Sequence, residues 1–508
     1  MHQSLLIDEI LSRIVQFIAA DGQRDSRHLE NTSDLARLAR TCRCFMECAL
    51  DTLWRTQHSL RLLIMCLPTS TWEIHPSNIL YLTRPPTNFE WTRFEVYSHR
   101  VKSFSYPKQK SMIRVHEDAL PLLFARRSPL SLFPSLSSLD FSILSCNSRN
   151  FPLIRDFLSP KLANLSFALP RTMCPQDICG VLEALPQKAT HLENVAISSF
   201  IPATSFELKF PTRAMPHLRR LVIANSIRIS AESMLNVASL RYVQELTLNL
   251  HPNFDAEALR DAPDNTFPAL QYLTLSAYDL PQCTSLVSLI SSPRLDELSV
   301  SYDIQATPST VTSFLSTIGT SLQSISLRHN IQDNTIADAP FTFYPSTFAP
   351  LLACLNLRSI TVFNLGTLNL DDEFIISAAK AWTRLEEIKL SSLPWSFIIP
   401  NVSLNSLAAL TQHCPKLTRV HLALDARDVP ELPINNLNVA DAQPLQVLNI
   451  RNSVVGRTEP VAQFLRAIMP NMKVLYVEGH PELRDKWMEV KAYYDRLQVG
   501  PLVEELRP

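Results

Sequence analysis

The sequence predicts an α/β repeat solenoid, one strand and one helix per repeat, preceded by a small all-α module. Three observations carry this. A short apolar motif recurs thirteen times at intervals near about 27 residues, a period that belongs to stacked repeats rather than to a single core. Between copies the hydrophobic pattern changes from alternation to a helical stripe. The first 60 residues carry helical stripes and no copy of the motif.

Residues 1–60 form the helical module. In "MHQSLLIDEILSRIVQFIAADG" the residues Leu6, Ile7, Ile10, Leu11, Ile14 and Ile18 fall on one helical face. The polar insert "AADGQRDSRHLENTS" follows, and a second helix is expected from Ser33 or Asp34, whose side chains suit an N-cap. Its apolar face runs Leu35, Leu38, Cys42, Phe45 and Ala49, continued by Leu53 and Trp54. Cys42, Cys44 and Cys48 crowd this helix. A tetrahedral metal site needs four convergent ligands, yet Cys42 lies on the apolar stripe, Cys44 and Cys48 lie on another side, and His28 and His58 are the only local additions. Packing is the preferred reading, because free cysteine behaves as a small hydrophobe, and no metal is expected.

Residues 61–130 read as a linker or N-terminal cap. From Arg84 to Arg127 nine Lys/Arg stand against four Asp/Glu, interleaved with Trp91, Phe94, Tyr97, Phe104 and Tyr106. Such a stretch could stack single-stranded nucleic acid. The preferred reading is an irregular segment packed on the first repeats, with its charges solvated, so nucleic acid is not expected as a partner.

Residues 131–480 form the array. The motif is a proline or small residue followed by Leu-x-x-Leu-x-Leu with apolar substitutions, first positions being Leu136, Leu162, Leu192, Leu218, Val243, Leu270, Leu295, Leu322, Leu357, Leu385, Leu417, Leu445 and Met472. The alternation at the end of each copy is that of a strand buried on one face. Between copies, Val311, Phe314, Leu315 and Ile318 share a helical stripe, as do Leu404, Leu407 and Leu410, and Val461, Phe464, Leu465 and Ile468. Residues 481–508 supply a capping helix, with Trp487, Val490, Tyr494 and Leu497 near one face, and a tail.

Composition narrows the function. A net charge of −1 and a pI near 6.9 leave no global basic footprint for nucleic acid or an acidic membrane. No apolar run reaches the roughly 18 residues of a membrane span, and Asp8, Glu9 and Arg13 interrupt the N-terminal run as no signal peptide would. Ten scattered cysteines without a C-x-x-C pair fit a reducing compartment. Only seven glycines occur, with no G-x-G among them, so phosphate-cradling loops are excluded. Hydrolase signatures such as G-x-S-x-G or H-E-x-x-H are missing. The expectation is a protein that is not an enzyme and uses no cofactor.

The array resembles the leucine-rich repeat family in its helix-containing form, which implies a horseshoe whose strands line one face. Asn330 stands where that family places an Asn or Cys after the strand, whereas Leu144, Tyr278 and Asp425 hold the equivalent places elsewhere. With "LIDEILSRIVQFI", "DLARLARTCRCF" and "DTLW", the N-terminal module is similar to an F-box, and the pairing is similar to the F-box repeat arrays abundant in mushroom-forming fungi. Ile7 stands where an F-box usually has proline, and the insert between the helices is long. The resemblance implies a receptor subunit of a Skp-cullin-F-box ubiquitin ligase. The residues facing or supporting the Skp-type adaptor would be Leu6, Ile10, Leu11, Ile14, Leu35, Leu38, Phe45, Leu53 and Trp54, and a cullin scaffold would be the further partner. A protein target, unnamed by the sequence, would meet outward strand positions including Arg220, Glu245, Tyr272, Glu297, Ser324, Glu387, Lys389, Arg419 and His421. The expected location is cytoplasmic, nuclear or both, with no membrane partner. The alternative is a protein-binding scaffold unrelated to ubiquitin, its N-terminal helices merely capping the array.

Overall fold

The structure is a computed structural model of the 508-residue chain. It describes residues 8–20, 28–105, 114–125, 131–144, 147–170, 175–199, 207–208, 215–223, 227–229, 231–250, 254, 266–331, 341–393, 399–431, 444–477 and 481–499. Leu6, Ile7 and Tyr106 therefore lie outside the described residues. The chain divides into two compact units, Met1–Val243 and Gln244–Pro508.

All thirteen motif positions from Leu136 to Met472 are buried, and a strand begins two residues after each. The physical cause is the motif itself. Its first residue anchors the turn, and the next two apolar positions alternate inward along a pleat while the residues between them face out. In the first unit Ser138–Asp140, Asn164–Leu169, Asn194–Ser199 and Arg220–Ile223 pair in parallel and in register. In the second unit nine parallel strands follow, at Glu245–Asn249, Tyr272–Ala277, Glu297–Tyr302, Ser324–His329, Ser359–Phe363, Glu387–Ser391, Arg419–Leu422, Val447–Asn449 and Val474–Tyr476. Each unit is thus a strand-plus-helix repeat solenoid of leucine-rich type.

The stripes anticipated between copies are helices with buried faces. Pro308–Ser316 buries Val311, Phe314 and Leu315, Leu404–His413 buries Leu404, Leu407 and Leu410, and Thr458–Ile468 buries Val461, Phe464, Leu465 and Ile468. Asp371, Ser403 and Thr307 cap their helices by accepting backbone N–H bonds. Asp372 ties neighbouring repeats together, accepting from Ser403 N at 2.7 Å, Ser403 Oγ at 2.6 Å and Ser406 Oγ at 2.5 Å. Asn330 donates to the Asp303 carboxylate of the preceding repeat at 3.0 Å. The helix Pro481–Val499 closes the last repeat. Trp487 donates to Ser453 O at 3.0 Å, and the Tyr494 hydroxyl accepts from Met472 N and donates to Met469 O. Leu497 leaves that face and is exposed.

The array starts before residue 131. Ser103–Ser105 pairs with Ser138–Asp140, and Thr56–Gln57 pairs with Ser103–Ser105. Residues 61–130 thus contribute a repeat strand of their own, with Val101 and Phe104 buried like motif positions. Trp91 and Phe94 are buried as well, so three of the aromatics that suggested nucleic-acid stacking, Trp91, Phe94 and Phe104, are core, and Tyr97 is half-buried. Phe104, Phe133 and Phe141 cluster on Phe157, the Phe141 and Phe157 rings 5.0 Å apart.

Candidate functional site

Three helices form the N-terminal module: α1 (Asp8–Ala20), α2 (His28–Leu38) and α3 (Arg43–Arg55). The single helix expected from Ser33 is in fact two. It begins earlier, at His28, so Ser33 and Asp34 are interior residues and not caps, and Asp34 pairs with Arg37 at 3.1 Å. It breaks where the Thr41 hydroxyl donates to Leu38 O at 2.7 Å and Cys42 turns extended, at φ −158°, to start α3. Cys42, Cys44 and Cys48 are half-buried free thiols.

The apolar face expected of α1 separates into two. Leu11 and Val15 point inward and are buried, as are Leu35 of α2 and Ala49 of α3. On the other side Ile10 is 37% exposed, Ile14 38% and Phe17 74%. These three are spaced i, i+4, i+7 and make one stripe along the helix. Phe17 was not among the residues singled out from sequence, although its spacing from Ile10 and Ile14 was the available signal. Leu38, Phe45 and Leu53 are half-buried, and Met46 of α3 is exposed.

Trp54 is turned away from that stripe. Its ring stacks on Tyr97, with centroids 4.5 Å apart, and the residue is buried. Arg100 reinforces the same seam, pairing with Glu47 at 2.6 Å and with Asp51. The helical module is therefore joined to the segment 92–100, and Leu11, Leu35 and Trp54 support the exposed stripe from behind rather than form it.

The second predicted surface is the open face of each sheet. Arg220, Tyr272, Glu297 and Arg419 are exposed there, and Glu245, Ser324, Lys389 and His421 are partly so. Register fixes their neighbours: Tyr272 lies between Glu245 and Glu297, and Glu387 lies between Ser359 and Arg419. Glu387 departs from expectation because it is buried, at 8% exposure. Two cations cover it, Lys389 Nζ at 2.7 Å and Arg419 Nε at 2.8 Å from the same oxygen, Oε1. Arg419 also donates to Oε2 at 3.2 Å. A buried Glu387 without these partners would carry a desolvation cost.

Buried thiols complete the electrostatic picture. Desolvation pushes Cys283 and Cys414 up to about 12 and raises Cys354 and Cys66, so none of these is an activated nucleophile. Among the described residues no group of His, Cys, Asp and Glu is arranged to hold a metal, and no helix is long and apolar enough to cross a membrane.

A family model described as F-box-like matches residues 8–59, the segment occupied by α1 to α3. No curated protein matches the chain. Similar solved structures include the crystal structure of a TLR13–ssRNA13 complex, 13% identical with a TM-score of 0.39, over 77% of this chain and 57% of that one. The chain thus spans less than two thirds of that protein's length.

Proposed function

We propose that this chain is the substrate-recognition subunit of a Skp-cullin-F-box type ubiquitin ligase, non-catalytic itself, with α1 docking the Skp-type adaptor and the open face of the repeats holding a protein target. The observation that carries the reading is the exposed stripe Ile10, Ile14 and Phe17 in a segment that matches the F-box-like family. Three apolar side chains in a row on an otherwise folded helix are kept for a partner more readily than for water. The adaptor would link the chain to a cullin scaffold, and ubiquitin transfer would gain from the high effective concentration of a held target rather than from any residue here. Such a complex works in the reducing cytoplasm, the nucleus or both, needs no cofactor in this subunit, and fits kinship with the fungal F-box repeat arrays.

The test is capture of a purified Skp-type adaptor by the full chain, compared with Ile14→Asp and Phe17→Asp. Both positions face solvent, so stability should stay within about 0.5 kcal/mol of wild type while capture is lost. Leu11→Asp belongs in the set as a folding control, because it places a carboxylate in the bundle core. If wild type fails to capture the adaptor, or Phe17→Asp captures it undiminished, the reading falls.

A second reading, a protein-binding scaffold outside ubiquitin transfer, is favoured by one observation. The Trp54–Tyr97 stack and the Arg100 ion pairs join the helices to the next segment as a terminal cap would be joined. That role needs no adaptor, so the capture experiment separates them.

A further inference from the structure

We propose that the open face of the second unit, around Arg328, Lys389 and Arg419, binds a carboxylate-rich segment of the target with acidic residues four apart. This rests on reading the chain as a protein-binding receptor and names the chemistry of what is bound.

The charges are arranged unevenly. Glu245 and Glu297 stand on the first strands of the unit, whereas Arg328, Lys389 and Arg419 stand on the Ser324–His329, Glu387–Ser391 and Arg419–Leu422 strands. Only one carboxylate on these later strands opposes the three cations, and it is already engaged. Glu387 shares one oxygen between Lys389 and Arg419. One negative charge between two positive ones leaves about one positive charge in surplus at that spot. The Lys389 and Arg419 side chains remain 41% and 58% exposed, with donors to spare. Because Glu387 is buried beneath them, their heads are held in place before any ligand arrives, which lowers the ordering cost of binding.

Arg328 supplies the second charge. It is exposed and lies over the Phe363 ring, 5.1 Å from the centroid, which fixes its direction without neutralising it. The Ser359–Phe363 strand separates its strand from that of Lys389, and Arg328 is in register with Ser391, two residues on from Lys389, so two strand spacings across and two residues along put their backbone positions about 12 Å apart. An extended segment advances about 3.3 Å per residue and turns every second side chain to the same face, so two carboxylates four residues apart share a face and span about 13 Å. The hydroxyls of Ser326 and Thr361 line the interval, in register with one another and with Lys389. A single phosphate dianion would need its cations gathered at one point, and a nucleic-acid strand would need free ring faces and would meet Glu297 and Glu245 along the same face.

The experiment uses the full chain and a fluorescein-labelled peptide of glycine and serine carrying two pairs of glutamates four residues apart. Comparison probes are the glutamine version, a version with one phosphoserine, and a single-stranded RNA of similar length. The glutamate peptide should bind, weaken as salt is raised, and lose roughly tenfold in affinity with Arg328→Glu and with Lys389→Ala, both checked by circular dichroism. Equal binding of the glutamine peptide, or unchanged affinity in both folded variants, overturns the proposal. Tighter binding of the phosphopeptide or the RNA, lost in the same variants, overturns the assignment to carboxylates. No adaptor takes part, so failure here leaves adaptor capture untouched, and failure of capture leaves this measurement intact.

Discussion

Replacing Gly366 by alanine tests the closure of the repeats on the side away from the open face. A Cβ at Gly366 would sit 2.3 Å from Phe341 O and 2.7 Å from Phe343 Cε2. The carbonyl would have to retreat by about 1 Å to reach ordinary contact. That same carbonyl accepts the Thr367 N–H at 2.9 Å, and Phe343 O accepts Asn369 N–H at 2.8 Å, the two bonds that fasten Thr342–Phe343 to Thr367–Leu368. Overpacking of this kind costs about 1–3 kcal/mol and a weakened hydrogen bond about 1 more, giving about 2–4 kcal/mol in all. Measured by amide hydrogen exchange at Thr367 and Asn369, protection should fall roughly 30- to 700-fold, at about 1.4 kcal/mol per decade. Gly180 is the control of opposite sign. It lies in the helix Pro175–Lys188, and its Cβ would meet only Arg155 Nη1 at 3.5 Å, so Gly180→Ala should stabilise by about 0.5–1 kcal/mol. Protection at Thr367 unchanged in Gly366→Ala would refute the reasoning.

Trp54→Ala should destabilise the first unit by about 3–5 kcal/mol, the cost of emptying a buried indole site, and Trp54→Phe by much less, as read from urea unfolding. Arg100→Ala should cost about 1 kcal/mol, less at high salt, because Glu47 and Asp51 are largely solvated; thermal unfolding at two ionic strengths measures this. The Arg84 guanidinium, helped by the Thr87 N–H, holds the Glu90 carboxyl down at about 2. Its folded value lies below its unfolded value, near the ordinary 4.5 of a glutamate, so its contribution is full above the unfolded value and fades as pH falls from there through about 2. Glu90→Gln should flatten the chemical-shift change of the Asn88–Trp91 turn over that window. Thiol alkylation at neutral pH should modify Cys42, Cys44 and Cys48 well before Cys283, Cys354 and Cys414, and rapid labelling of Cys283 in the folded chain would contradict its burial.

Much of the fold was legible because each repeat writes its own burial pattern. All thirteen motif positions proved to be core, since a strand that buries one face can tolerate few alternatives at its inward sites. The same logic could have found one strand more. Val101 and Phe104 hold the first two motif places before Ser103–Ser105 closes on the array, but the basic and aromatic company of the segment pointed elsewhere. What the helical module lacked was long-range information. Spacing alone put Leu11 and Ile14 on a common face, and only packing against α2 and α3 shows that one is core and the other exposed. Trp54 looked like a docking residue because its partner Tyr97 belongs to a different part of the chain. Glu387 read as exposed from its register, and is buried by two cations that register alone does not aim.

The alternation along each strand separates two kinds of genetic change. A substitution at Leu327 or Val362 strikes a buried side chain and is felt by the whole repeat, whereas one at Ser326 or Thr361, next along the same strand, alters a surface that the core does not read. The chain can therefore exchange the residues it displays one strand at a time, in any order, and each intermediate still folds. Divergence of what is recognised need not wait for compensating change within, so related chains should differ most at the positions between their buried apolar residues.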